Sequence, residues 1–269
     1  MTKTILITGA SSGIGLNTSL YFAEKGWKVI ATMRNPEKRT TPLHNKENID
    51  LIHLDVIDSE LIKNVIKFCI DKYKNIDALL NNAGYALVGP FELYDKNKIK
   101  KQMETNVIGL MEMTKALIPH LRQKQCGVIV NISSIGGKNG VPLYSVYNAS
   151  KWAVEGFSEA LYFELLNYNI KVKIIEPGFI SSSFLESQDL IDINEWGTYR
   201  EKLQGTMESM NSGNGSSPVV VAKTIYKAIT SNNNKLRYPV GKMAKPAVIF
   251  RKLLPENLFL KILKKTYRL

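Results

Sequence analysis

Lys3-Thr4-Ile5-Leu6-Ile7-Thr8 runs straight into Gly9-Ala10-Ser11-Ser12-Gly13-Ile14-Gly15, and this junction decides the fold. The first part is a short β-branched run, the second a glycine-rich turn, and a helix-like stretch follows to Lys25. A strand, a glycine turn and a helix N-terminus make an anion site, because backbone N–H groups and the helix dipole face one point. Glycines let the backbone come close to a pyrophosphate. The spacing Gly-x-x-x-Gly-x-Gly differs from the commoner Gly-x-Gly-x-x-Gly. Such a turn carries weight here because it sits at the first strand–helix junction.

Strand-like and helix-like runs alternate from there on. Trp27 to Met33 reads as a second strand and Ile49 to Asp55 as a third. Ser59 to Tyr73 has helical spacing, with Leu61, Val65, Ile66 and Ile70 on one face. Ile76 to Gly84 is nearly continuous in apolar residues, as a strand buried on both faces should be. A helical region covers Asp95 to Lys124, where Pro119 is expected to bend or end a segment. Cys126 to Ile132 and Ile170 to Ile175 are the fifth and sixth strands, and Lys235 to Val240 the last. This rhythm predicts an α/β fold: a single doubly wound parallel sheet of Rossmann type, with helices on both faces. The domain should span 1–240, followed by a C-terminal helical extension over 241–269. Ile180 to Ser217 lacks a clear period and reads as a lid loop. Ser217 and Pro218 then suit the cap and first turn of a helix through Ile229.

The 269 residues suffice for one large core, and the hydrophobic fraction of 44% is globular. No apolar run is long enough to span a membrane, and no signal-peptide pattern precedes Thr4, so the chain is expected to be cytoplasmic. Two cysteines, Cys69 and Cys126, sit in apolar surroundings and read as small buried hydrophobes. His44, His53 and His120 have no ligand spacing, so no metal site is expected.

Ligands of such sheets bind outside the C-terminal ends of the strands. Thr8, Met33, Asp55, Asn81, Ser134 and Pro177 all fall there. That common address also selects among four Tyr-x-x-x-Lys pairs, at Tyr21/Lys25, Tyr94/Lys98, Tyr147/Lys151 and Tyr238/Lys242. Only Tyr147/Lys151 follows directly on a strand end that delivers hydroxyls, Ser133 and Ser134. Four residues apart on a helix, the two side chains share a face. A free phenol titrates near ~10, and a nearby ammonium would draw it toward neutrality, where it can exchange protons with a carbinol or carbonyl. At the end of the second strand, where an acid would bind a ribose 2′-hydroxyl, stands Met33 followed by Arg34. Arginine pairs with a 2′-phosphate, so NADP(H) is expected over NAD(H).

Together these pieces resemble the short-chain dehydrogenase/reductase family over residues 3 to 240. Thr8 to Gly15 matches its cofactor loop, Asn81-Asn82-Ala83-Gly84 its strand-four motif, and Tyr147-Asn148-Ala149-Ser150-Lys151 its catalytic pair. The resemblance implies roles for further residues. Ser134, 13 residues before Tyr147, would be the catalytic serine in preference to Ser133, and Asn106 would hold a water linking Lys151 to solvent. Tyr147 would supply the proton while Ser134 holds the substrate oxygen. Lys151 would lower the phenol pKa and bind ribose hydroxyls. Cofactor contacts would come from Gly9, Ser11, Ser12, Gly13, Ile14, Gly15, Arg34, Asp55, Val56, Asn82, Ala83 and Gly84. On the nicotinamide side they would come from Tyr147, Lys151, Pro177, Gly178, Ile180 and Ser182, the last standing where the family usually has threonine.

Softer cues, Ala31 to Pro36, Glu176 to Phe179 and Arg237 to Gly241, resemble the steroid- and retinoid-dehydrogenase-like branch, which implies a small lipophilic alcohol or carbonyl substrate. An epimerase or dehydratase using the same pair, and a non-catalytic nucleotide sensor on the same fold, are the alternative readings. Of the net charge of +12, +9 lies from Lys235 onward, in ten basic residues and one acid. From Pro255, Leu258, Phe259, Ile262, Leu263 and Leu269 fall on one helical face, with Lys261, Lys264, Lys265 and Arg268 opposite. Such a helix either packs on the domain over the substrate mouth or makes peripheral membrane contact. Without an aromatic stacking platform it does not read as a nucleic-acid site. The resemblance also implies a homodimer or homotetramer through the helices holding Asn106 and Tyr147.

Overall fold

A computed structural model describes residues 2–182, 188–191, 197, 199–202, 205, 206 and 215–267. Its main sheet has seven parallel strands in the order β3-β2-β1-β4-β6-β7-β9. These are β1 (Thr4–Ile7), β2 (Lys28–Met33), β3 (Ile49–His53), β4 (Ala78–Asn81), β6 (Gly127–Ile132), β7 (Ile170–Pro177) and β9 (Arg237–Val240). All seven coincide with the runs read from the sequence. The helices are α1 (Gly13–Glu24), α2 (Ser59–Tyr73), α3 (Lys96–Met103), α4 (Gly109–Lys124), α5 (Ser145–Leu165), α6 (Pro218–Thr230), α7 (Ala244–Leu253) and α8 (Glu256–Thr266).

Alternation along β1 shows why the sheet is covered twice. Ile5 and Ile7 point into a core shared with Phe22, Val221 and Ile225, on α1 and α6. Leu6, between them, joins Ile62, Val65, Met113, Leu117 and Leu161, on α2, α4 and α5. With period-2 geometry both faces of each central strand are apolar, which explains the continuous rather than alternating sequence. Burial of each such side chain is worth roughly 1.5–3 kcal/mol, so neither face can be left open to water.

Three details differ from the sequence reading. The helical region between Asp95 and Lys124 is broken by a π turn at Glu104–Ile108, while Pro119 lies inside α4. Asn106 lies within that π turn, and its side chain bonds to the backbone of Tyr85. The segment read as a lid loop contains a strand: β8 (Asp189–Leu190) pairs with β5 (Leu87–Val88) in a small second sheet. Residues 183–187, 192–196, 198, 203, 204 and 207–214 of that loop lie outside the described residues, as do Arg268 and Leu269. Cys69 is buried as expected, but Cys126 is exposed at the turn before β6. Among the described residues no helix is long and apolar enough to cross a membrane.

Candidate active site

Strand order reverses between β1 and β4, and a cleft of about 820 Å³ opens there, at the C-terminal ends of the strands. The two strand ends are fastened together. Thr8 Oγ1 accepts from the backbone N–H groups of Asn82 and Ala83 at 3.0 and 3.1 Å. Asn82 Nδ2 donates to the carbonyls of Thr8 and Gly9, both at 2.9 Å. Gly9 has φ +67°, and a Cβ on Gly15 would lie 2.3 Å from the Gly9 oxygen, so only glycine allows this turn. Ser12 precedes α1 in extended conformation without a side-chain cap, leaving the first-turn N–H groups to the cleft. Uncapped amides at a glycine cradle fit a pyrophosphate. Arg34 and Arg39 both line the cleft beyond β2, held together by a bond from Arg39 Nε to the Arg34 carbonyl at 3.3 Å. They provide the cationic wall that a phosphorylated ribose would need.

At the other end of the cleft Tyr147 and Lys151 project from the first turns of α5, and Ser134 from the end of β6. Ser134 hydrogen-bonds to the Tyr147 phenol and also accepts the Gly136 N–H at 3.0 Å. It is therefore Ser134 that meets the phenol. Ser133 is buried, and a Cβ on Gly137 would come within 2.6 Å of its hydroxyl. Lys151 Nζ donates to the Ile132 carbonyl at 2.8 Å and lies 5.8 Å from the centroid of the Tyr147 ring. Tyr21, Tyr94 and Tyr238, from the other three pairs, do not line the cleft.

A buried polar ladder sets α5 against the sheet. Asn81 Nδ2 donates to Thr114 and Asn131, and Asn131 Nδ2 donates to Ser158, at 2.8–2.9 Å. Asn106 makes a second tie. Its Nδ2 donates to the Tyr85 carbonyl and to Ser150 at 2.9 and 3.1 Å, and its Oδ1 accepts the Tyr85 N–H at 3.1 Å. Ser150 is the residue before Lys151, so Asn106 fixes the turn of α5 that carries the lysine.

Electrostatics correct one expectation. Burial pushes the Tyr147 phenol up to about 12, against a smaller opposite pull from Ser134. Burial also lowers the Lys151 ammonium from 10.5 to about 8, while Glu155 raises it. Without a bound ligand, desolvation thus outweighs the attraction expected between lysine and phenol. Beneath them Glu155 takes Lys138 at 2.8 Å and Arg237 at 3.0 Å, and Arg237 reaches the fully buried Glu176 at 3.7 Å.

Of the catalytic and cofactor-binding residues expected from the sequence, all line the cleft except Gly15 and Asn106, which act from behind it, as do the strand-end residues Thr8 and Asn81. Sequence reasoning missed Arg39, Val141, Tyr144 and Gln188, which also line it. Tyr144 packs edge-on against Tyr147, centroids 6.1 Å apart, and accepts a bond from Gln188 Nε2 at 3.0 Å. Its position three residues before Tyr147 was the available signal. Arg39 and Gln188 lie in irregular segments that give none.

Residues 3–190 match the model of a family described as short chain dehydrogenase. The chain is 34% identical to a 3-ketodihydrosphingosine reductase of Bacteroides thetaiotaomicron, covering 94% of both chains. It is 32% identical to retinol dehydrogenase 8 of Bos taurus, over 95% of this chain and 86% of that one. Among solved structures, a short-chain dehydrogenase from Streptomyces avermitilis superposes with a TM-score of 0.86 at 32% identity, covering 100% and 98% of the two chains. ElxO with NADP bound superposes at 0.74 with 30% identity, over 88% and 95%. The glycine cradle, the Ser134–Tyr147–Lys151 group and these likenesses agree: the chain is an oxidoreductase that belongs to the short-chain dehydrogenase/reductase family, with retinoid-dehydrogenase-like relatives and a nicotinamide cofactor.

Proposed function

We propose that the protein is an NADP(H)-dependent oxidoreductase that interconverts a hydrophobic secondary alcohol and the corresponding ketone, or an aldehyde, with Tyr147 as general acid and base. The observation that carries this reading is the Ser134–Tyr147 hydrogen bond beside Lys151, at the inner end of a cleft whose other end is a pyrophosphate cradle. When bound, the reduced nicotinamide supplies a hydride to a carbonyl carbon. Tyr147 hands its proton to the carbonyl oxygen as charge develops there, and Ser134 orients that oxygen. A phenol held near 12 is protonated at neutral pH, which suits it to donate in the reductive direction. Lys151, lowered to about 8, still carries its proton at pH 7 and stabilises the phenolate left after transfer. Both Asn106 amide donors are taken, so its contribution is to position Lys151 through Ser150; a water linking Lys151 to solvent would use its remaining oxygen lone pair or its backbone.

Arg34 and Arg39, with no acid at the end of β2, support NADP(H) over NAD(H). Val141, Tyr144, Ile135 and Phe179 give the substrate half an apolar and aromatic lining, which supports a lipophilic substrate. The names of the two relatives, a ketosphingoid reductase and a retinol dehydrogenase, point the same way. The test is NADPH absorbance against a panel of hydrophobic ketones, aldehydes and alcohols. Turnover on lipophilic members, with weaker use of NADH, is expected; no cofactor-dependent turnover on any member would sink the proposal.

A further inference from the structure

The outer face of α7 reverses the usual pattern of a surface helix. Pro246, Ile249, Phe250 and Leu253, at i, i+3, i+4 and i+7, form one stripe. That stripe faces solvent: Ile249, Phe250 and Leu253 are 51, 48 and 72% exposed. The inner side holds α7 to the domain through the buried Ala244 and half-buried Ala247 and Val248. In α8 the apolar face expected from the sequence is divided. Phe259 and Tyr267 are buried and Leu263 is half-buried, whereas Leu258, Leu260 and Ile262 are exposed. The helix therefore packs on the domain and still presents apolar side chains outward. Lys245, Lys252, Lys261, Lys264 and Lys265 are all exposed along the same two helices, and Lys242 just before them. Their single acid, Glu256, is taken by Arg251 at 3.7 Å.

We infer that α7 and α8 form a docking face for an anionic lipid bilayer surface, set at the rim of the substrate cleft. Exposed apolar side chains ringed by lysines match the hydrocarbon–headgroup boundary of such a surface. Charge argues against a second copy as the occupant, because an isologous contact would set the same lysines against one another. Helix α5 carries separate exposed apolar side chains, Trp152 and Phe163. The link to the cleft is the start of α7: the Phe179 N–H donates to the Lys242 carbonyl at 3.1 Å and the Ala244 backbone packs against Gly178, and both Phe179 and Gly178 line the cleft. Delivery of a lipophilic substrate from the bilayer rests on the proposed function; the docking face does not.

The test is co-sedimentation of the full chain with vesicles of phosphatidylcholine alone and of phosphatidylcholine with phosphatidylglycerol, at low and high salt. Binding should require the anionic lipid, weaken at high salt, and fall at least tenfold in the double variant F250E/L253E. Both positions are exposed, so the variant should keep the wild-type melting temperature and NADPH binding. No preference for anionic vesicles, or equal binding by the folded variant, would overturn the inference. A smaller oligomer in F250E/L253E, with vesicle binding unchanged, would also overturn it by making the face a contact between copies. Turnover of detergent-dispersed hydrophobic ketones, aldehydes and alcohols, without vesicles, separates the two claims: its absence on every member with vesicle binding intact would sink the proposed function and sustain the docking face.

Discussion

Replacing Lys151 by Met should remove a defined pH dependence from the protein's stability. Lys151 is 6% exposed, and its folded-state pKa is lowered by burial from 10.5 to about 8. For a base with a depressed folded pKa, the unfolded chain binds the proton more tightly, so the charged form destabilises the fold below pH 8. That cost is relieved as pH rises from 8 toward 10.5. At ~1.4 kcal/mol per pH unit the full effect is roughly 3 kcal/mol, of which about 2 to 3 kcal/mol should disappear between pH 7 and pH 10. At pH 7, K151M loses this cost and also the charge-assisted bond to the Ile132 carbonyl, worth roughly 1.5–3 kcal/mol. The two nearly offset. Urea unfolding of both proteins at pH 7, 8.5 and 10 is the assay. Relative to the variant, the wild type should gain about 2 to 3 kcal/mol across that range. A gap that stays flat, or one that moves in favour of the variant as pH rises, would refute the reasoning.

Other expectations concern the cradle and its supports. Arg34→Glu should move the ratio of NADPH to NADH dissociation constants by about 10- to 100-fold toward NADH, the scale of one charge-assisted contact; an unchanged ratio in a fluorescence titration would remove Arg34 from cofactor choice. Gly15→Ala puts a methyl group 2.3 Å from the Gly9 oxygen. It should weaken NADPH binding more than tenfold, and wild-type affinity by calorimetry would show that the turn yields. Asn106→Ala leaves the Tyr85 N–H without its partner, while the Tyr85 carbonyl keeps its bond from Gln102 Nε2, and should cost about 1–3 kcal/mol in urea unfolding. A loss below 0.5 kcal/mol would mean that water replaces the amide.

The seven main strands were legible because parallel strands buried on both faces leave long apolar runs, and Ile5, Leu6 and Ile7 cannot be exposed on either side. The strand ends were legible for the same reason, and with them the address of Thr8, Asn81, Ser134 and Pro177. The two-residue strands Leu87–Val88 and Asp189–Leu190 are too short to carry a period. The π turn at Glu104–Ile108 holds Asn106, whose bond to Tyr85, 21 residues away, leaves no mark in the local period, and Pro119 does not end α4. In the site, residue types and spacing located Tyr147 and Lys151, but the direction of the phenol's shift depends on burial, which spacing does not report. In the C-terminal tail, helical periodicity found an apolar face and could not say that half of it would turn outward.

In the proposed reaction Tyr147 exchanges the proton while the rest of the cleft holds the cofactor. The most direct measurement is single-turnover NADPH oxidation by Tyr147→Phe on a ketone that the wild type reduces, together with NADPH affinity for the same variant. The expected rate is about 10²- to 10⁴-fold lower, the scale of losing a positioned general acid, with the dissociation constant within about threefold of wild type. Retention of wild-type turnover by the variant would contradict it.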